Sequence, residues 1–197
     1  VHLVIHGTAM VNDGSRKAGF TAPSFDGQVE AISEALALSG EQTGPIQYVE
    51  AHGTATSLGD PIEFAALRSA LSGRLDPQGC ALGSIKGNIG HLDTAAGAAS
   101  LIKVAMAMNR GILPPIANFG KPNPMLGDGG GLLLPKEATP WQRAPADRWA
   151  CVNSLGLGGT NVHLVASGPR TGWKRPASPQ ARLFFLSGRT PQLLDET

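Results

Sequence analysis

The sequence predicts an α/β fold, on three observations. Short apolar runs alternate with longer segments of helical periodicity, two of those runs are followed by a histidine with glycine beside it, and the composition is that of a packed domain. Over 197 residues, 42% are hydrophobic and only 16% charged, which excludes wholesale disorder and permits one core of ordinary size. In α/β proteins the sites lie at the carboxyl ends of strands. His52 in Ala51-His52-Gly53-Thr54-Ala55-Thr56 and His91 in Lys86-Gly87-Asn88-Ile89-Gly90-His91 are therefore the first candidates.

Residues 1–11 read as a strand already in progress, with His2 and His6 on one face, where satisfied strand histidines outweigh a metal pair. Asn12-Asp13-Gly14-Ser15 turns the chain. A loop then runs to Pro23, and Ser24 caps a helix with Val29, Ile32, Ala35 and Leu36 on one side, ended by Gly40. The run 46–51 is a strand that delivers His52. Asp60-Pro61-Ile62-Glu63 starts the next helix with an acid as N-cap, proline at N1 and an acid at N3, and Gly73 stops it.

The run 80–85 is a strand that delivers Lys86 and His91. Residues 94–110 follow as a small-residue helix with Ala98, Leu101, Ile102, Ala105 and Met108 inward, and Gly97 in its first half suits close packing in a buried layer. Gly111-Ile112-Leu113-Pro114-Pro115 ends that helix. The stretch to Pro140 is an extended excursion in which only Leu132-Leu133-Leu134 resembles a strand. Residues 149–154 and 161–165 are two further strands joined by Leu155-Gly156-Leu157-Gly158-Gly159-Thr160. Those glycines suit either an anion-binding set of backbone N–H groups or a tight hairpin. We divide the chain into a domain over 1–167, a Pro-rich linker over 168–182 and the start of a further region over 183–197.

A net charge of +1 with no basic block argues against a nucleic-acid partner. No apolar run approaches the roughly 18 residues that cross a bilayer, and the stretch from Val1 to His6 lacks the basic flank and cleavage site of a signal peptide, so a cytoplasmic protein is expected. The abrupt start suggests a piece of a longer polypeptide. Cys80 and Cys151 lie inside apparent strands without metal-ligand spacing, which predicts buried free thiols and no metal site. The two histidines resemble a general acid/base or oxyanion-stabilising pair whose nucleophile is missing. The alternative is two turn histidines that only hold their loops.

A series of ordered motifs points to a family. Gly7-Thr8-Ala9 comes with Asn12-Asp13-Gly14-Ser15 and Thr21-Ala22-Pro23. His52-Gly53-Thr54-Ala55-Thr56 runs on through Gly59-Asp60-Pro61-Ile62-Glu63. Gly83-Ser84-Ile85-Lys86 runs on to Asn88-Ile89-Gly90-His91, and Gly156-Leu157-Gly158-Gly159-Thr160-Asn161 precedes His163. Together they resemble the C-terminal half of a β-ketoacyl synthase domain from a modular polyketide synthase, and residues 183–191 resemble the start of the region that leads to an acyltransferase.

The resemblance implies a thiolase-like layered fold of which this is the C-terminal half only, a sheet flanked by helices. It implies decarboxylative Claisen condensation on phosphopantetheine-linked substrates, with no prosthetic group. His52 and His91 would be the donors to the enolate, with Lys86 in an ionic network with Asp60 or Glu63. The backbone N–H of Leu157 would serve the acyl oxyanion, supported by Gly156, Gly158 and Gly159, and Thr54, Thr56 and Asn161 would bind the pantetheine arm. The nucleophilic cysteine belongs to the other half, since neither Cys80 nor Cys151 stands in Ala-Cys-Ser-Ser surroundings.

The implied partners are an acyl carrier protein, the missing N-terminal half and a second copy in a homodimer. Without the missing half, helix 94–110 should expose an apolar patch. Ala55 departs from the family's usual glycine, Ser57 from proline, and Leu155 and Leu157 from phenylalanine. A decarboxylase-type domain and a non-catalytic docking module remain as alternatives, and a metal hydrolase is short of ligands.

Overall fold

The computed structural model describes residues 2–17, 19 and 23–169, so the linker over 168–182 falls almost wholly, and the region 183–197 entirely, outside the described residues. In chain order the elements are β1 (Val4–Asn12), α1 (Phe25–Ser39), β2 (Tyr48–Glu50), α2 (Gly59–Ala70), β3 (Cys80–Gly83), α3 (Lys86–Ile89) and α4 (Ala96–Arg110). They continue with β4 (Ile112–Leu113), β5 (Leu132–Leu133), β6 (Thr139–Pro140), β7 (Trp149–Leu155) and β8 (Thr160–Ser167).

One mixed six-stranded sheet organises the molecule, in the order β1-β8-β7-β2-β3-β5, while β4 and β6 form a separate two-stranded ribbon. β2 runs parallel to both β3 and β7, and β5 runs parallel to β3. β8 is antiparallel to β7 and β1. The carboxyl ends of β2, β3 and β7 therefore open at one edge of the sheet, where the His52, Lys86–His91 and Leu155–Gly159 turns meet. This is a mixed sheet flanked by helices, as expected.

Alternation along the strands sorts the core into two layers. Val49, Ala51, Leu82 and Cys151 face Ile32 and Leu36 of α1 and Phe64 and Leu67 of α2. Tyr48, Ala81, Ala150 and Val152 face Val104, Ala107 and Met108 of α4. Gly83 sits where this second layer is tightest, since a Cβ there would lie 2.2 Å from the Tyr48 hydroxyl and 3.2 Å from Lys103 Nζ.

Several local expectations hold. Ser24 caps α1 by accepting from Gly27 N at 3.1 Å. Gly111 ends α4 at φ 66°. Cys80 and Cys151 are buried free thiols. His6 is satisfied by Ser167 Oγ at 2.9 Å rather than paired with His2.

Others need correction. Asp60 is not the N-cap of α2, which begins at Gly59 and whose first turn is closed by Gly59 N donating to Thr56 Oγ1 at 3.1 Å. α4 begins at Ala96, after a 3-10 turn at Asp93–Ala95, and its buried stripe is Ala96, Ser100, Val104, Ala107 and Met108. Ile102 is 60% exposed and Ala98 is exposed. The rotation carries Lys103 down to Glu50 beneath the helix, and Gly97 brings the helix against Ser154 of β7.

Candidate active site

His52 leaves the end of β2 on a turn that positions its backbone through α2. Glu63, 4% exposed, accepts from His52 N at 2.7 Å with Oε1 and from Gly53 N at 2.9 Å with Oε2. Burial holds the Glu63 carboxyl above the usual carboxylate range, and the bonds from Gly53, Asn153 and His52 oppose that shift. Gly53 takes φ 48°, a left-handed geometry natural to glycine. The expected capping role of Glu63 gives way to this longer reach.

Two residues on, Ala55 takes φ 59° with its N–H bound to Asp60 Oδ1 at 3.1 Å. A left-handed L-residue costs about 1–2 kcal/mol. Ala55→Gly is expected to raise stability by about 1 kcal/mol, read as an upward shift of the urea midpoint. Asp60, half-buried, is pushed above its ordinary value by desolvation, against the bonds from Ala55 and Thr56.

The two candidate imidazoles do converge. Their ring centroids are 5.2 Å apart, edge to face. His52 Nδ1 accepts from Leu155 N at 3.3 Å, and His91 Nδ1 accepts from Asp93 N at 3.0 Å. An Nδ1 that accepts a backbone N–H carries no proton, so each neutral ring holds its proton on Nε2. The pair can present two N–H donors to one acceptor. Burial, then the charge of Lys86 and the neighbouring His91, lowers His52 from 6.5 to about 4.

His163 is fully buried, and desolvation lowers it to about 3. Between those values and 6.5 the unfolded chain binds protons that the folded chain refuses. Stability is thus present above 6.5 and lost as pH falls toward 4. Glu63, shifted the other way, offsets part of that loss. The denaturant midpoint is expected to drop between pH 6.5 and 4.5, and to drop less in His163→Gln.

Lys86 opens the short α3 and is half-buried. It forms no ion pair with Asp60 or Glu63 among the described residues, contrary to expectation. Burial lowers its amine from the ordinary value, with Glu63 and Glu50 opposing. The ion pair actually formed is between Lys103 and Glu50, at 2.8 Å. Glu50, with no exposure, also accepts from the Tyr48 hydroxyl at 2.6 Å and from Ile85 N. The end of β2 is thereby fastened to the residue just before Lys86. Sequence reading missed this link because Glu50 sits in an apolar run and its partner lies on a distant helix.

The glycine loop is both a hairpin and a candidate donor site. Gly156 N donates to Thr160 O at 2.7 Å and Gly159 N to Gly156 O at 2.8 Å. Leu157 is 64% exposed, its carbonyl takes Lys17 Nζ at 2.7 Å, and its N–H makes no hydrogen bond with the described residues. Gly158 is exposed, and buried Gly159 takes φ 96°.

Asn161 does not face this loop's outer side. It is 3% exposed and its amide donates to Asp13 Oδ1 at 2.6 Å, so it ties the hairpin to the end of β1 and is not placed to contact a pantetheine arm. Thr54 is half-buried and Thr56 exposed, with Thr56 Oγ1 engaged by Gly59 N. A cavity of about 570 Å³ opens beside the His52 turn, walled by Gly53, Ala55, Phe64, Leu82, Phe119 and Leu134.

No cluster of His, Cys, Asp and Glu that could hold a metal occurs among the described residues. The two cysteines are poor nucleophiles, since burial raises both thiols well above their ordinary value. No described helix is long and apolar enough to cross a membrane.

Three parallel strand ends thus bring paired imidazoles and a glycine loop to one edge of a mixed sheet flanked by helices. Comparison with known families agrees: residues 2–120 match the family described as "Beta-ketoacyl synthase, C-terminal domain", and residues 122–197 match "Ketoacyl-synthetase C-terminal extension". The chain belongs to the β-ketoacyl synthase family, with a thiolase-like fold.

It is 41% identical, over all of its length, to a phenolphthiocerol/phthiocerol polyketide synthase protein from Mycobacterium tuberculosis, of which it spans 14%. It is 41% identical to the polyketide synthase PksN of Bacillus subtilis, over 84% of this chain and 3% of PksN. Among solved structures, ketosynthase twelve of the Bacillus amyloliquefaciens bacillaene synthase superposes with TM-score 0.80 at 39% identity, covering 86% of this chain and 30% of that one. An oxazolomycin ketosynthase domain of Streptomyces albus gives 0.78 at 35%, covering 86% of this chain and 30% of that one. The chain thus spans about a third of the solved ketosynthases and about a seventh of the mycobacterial relative.

Proposed function

We propose that this chain supplies the decarboxylating half of a polyketide synthase ketosynthase, acting on malonyl-type extenders held as phosphopantetheine thioesters on acyl carrier protein. The observation that carries the reading is the 5.2 Å pairing of His52 and His91, with both Nδ1 atoms occupied by backbone N–H groups. Nε2–H of each ring would donate to the malonyl thioester oxygen. As the carboxylate carbon–carbon bond breaks, carbon dioxide leaves and the electron pair enters an enolate. Two prepositioned donors stabilise that charge without waiting for water to reorganise.

The enolate carbon then attacks the acyl thioester on a cysteine contributed by a complementary N-terminal half. That thioester's carbonyl becomes an oxyanion facing the backbone N–H of Leu157, and the cysteine leaves as thiolate. Thr54 and Thr56, at the mouth of the His52 turn, would touch the pantetheine arm. Lys86, bringing positive charge beside His52, helps keep that ring neutral while the carboxylate is bound. The parent is read as a cytoplasmic homodimer, and the exposed apolar face of α4 that carries Ile102 and Met106 would be covered by the complementary N-terminal half.

The test uses the chain within a complete ketosynthase domain, offered malonyl-loaded carrier. Release of carbon dioxide together with a condensed β-ketoacyl product supports the reading. Release without condensation favours a decarboxylase-type domain. Carrier binding with neither identifies a docking module.

A further inference from the structure

Behind the two imidazoles lies a second line of polar groups that the chemistry above does not use. His163 of β8, Asn153 of β7 and Glu63 of α2 are 0%, 2% and 4% exposed and bonded in series. His163 Nδ1 meets Asn153 Oδ1 at 2.7 Å, and Asn153 Nδ2 donates to Glu63 Oε1 at 2.9 Å. That same Glu63 oxygen accepts His52 N, while the other accepts Gly53 N. A carboxylate accepts only, so the Asn153 amide nitrogen must face Glu63 and its oxygen must face His163. His163 therefore carries its proton on Nδ1, and its Nε2 has no partner among the described residues. Every donor along the line has one direction.

We infer that Asn153 is a positioning residue for His52, holding Glu63 in the one orientation that grips the His52 turn, with His163 locking the Asn153 amide. β7 meets His52 a second time, because Leu155, two residues along the same strand, donates its N–H to His52 Nδ1. One strand thus sets both the backbone and the tautomer of the ring. A slip of either bond lets the turn relax and the Nε2–H swing off the substrate oxygen. Second-line partners of this kind decide whether a site is within tolerance or slightly too loose.

This inference rests on the proposed decarboxylation, and the experiment separates the two. Asn153→Asp is nearly isosteric but faces Glu63 with a carboxylate instead of a donor. Groups around Glu63 are Asp60 on its own helix, Lys86 from α3, His52 from the turn after β2 and, beyond residue 153, His163 from β8. Two carboxyls that share one site cannot both ionise, and a proton held between them restores the lost bond. Carbon dioxide release in the complete domain is expected to stay near wild type at low pH. It should then fall about tenfold as that proton leaves on raising pH, with KM for malonyl carrier little changed.

A uniformly lowered or unchanged profile, parallel to wild type, overturns the positioning role. Should Asn153→Asp fail to fold, His163→Gln and His163→Leu take its place. Gln keeps a donor for Asn153 Oδ1 and Leu does not, so retained release in the first and loss in the second supports the line, whereas equal rates overturn it. His52→Ala and His91→Ala are run alongside. If they leave release intact, the decarboxylation reading itself fails, whatever Asn153 shows.

Discussion

His52→Ala and His91→Ala are each expected to slow carbon dioxide release from malonyl-loaded carrier by about 10²–10³-fold, the usual loss when one donor to a developing oxyanion is removed. The size follows from geometry. Both rings present Nε2–H because both Nδ1 atoms are occupied by backbone donors, so alanine removes a directed hydrogen bond and not merely bulk. With centroids 5.2 Å apart the two donors are close enough to serve one oxygen as proposed, and the double variant should then lose much less than the product of the single losses.

His52 is neutral down to about pH 4, so its titration should leave the rate level across the neutral range. A general base of ordinary imidazole pKa would instead give a rate that falls below about pH 6.5. Single-turnover decarboxylation followed from about pH 5.5 to 8 distinguishes these. His2→Ala, at an exposed histidine near the start of the chain, is the control expected to change nothing. Release at the wild-type rate in either active-site variant would remove the oxyanion assignment.

Lys103→Met is expected to cost about 3–5 kcal/mol of folding stability, the penalty for leaving a buried carboxylate without its countercharge. Glu50 is fully buried at the end of β2, and its oxygens are shared among Lys103 Nζ, the Tyr48 hydroxyl and Ile85 N. Methionine covers the same sheet face but supplies no donor. Combining it with Glu50→Gln, which removes the charge while keeping an acceptor for Ile85, should restore much of the loss. Urea unfolding of the full chain reads this as a large midpoint shift for the single variant and a smaller one for the pair. Equal midpoints for Lys103→Met and wild type would show that the ion pair contributes nothing to the fold.

Much of the site is legible in short stretches of sequence. Glycine next to each histidine, the apolar runs that precede them and the Leu155–Thr160 loop mark three strand ends, and all three lie at one edge of the sheet. Ser24, Gly40 and Gly111 announce helix ends because capping is chemistry within a few residues. Asp60 and Glu63 illustrate where that reasoning stops. Their spacing fits a helix start, yet Asp60 reaches back to Ala55 and Glu63 to the His52 turn, contacts set by where β2 ends relative to α2. Motif alone gives Asn161 and Lys86 roles that burial against Asp13, or the absence of an ion-pair partner among the described residues, then changes.

The α/β class, the two histidine turns, the buried thiols and the family follow from the residues alone, since each depends on neighbours along the chain or on ordered motifs. It took the packed molecule to establish which face of α4 is buried, that Glu50 takes Lys103, and that His163 and Asn153 stand behind His52. Those pairings follow from β7 lying between β8 and β2, an order set by packing of distant segments. Periodicity records which way a side chain faces its own strand or helix, but not which other element waits there.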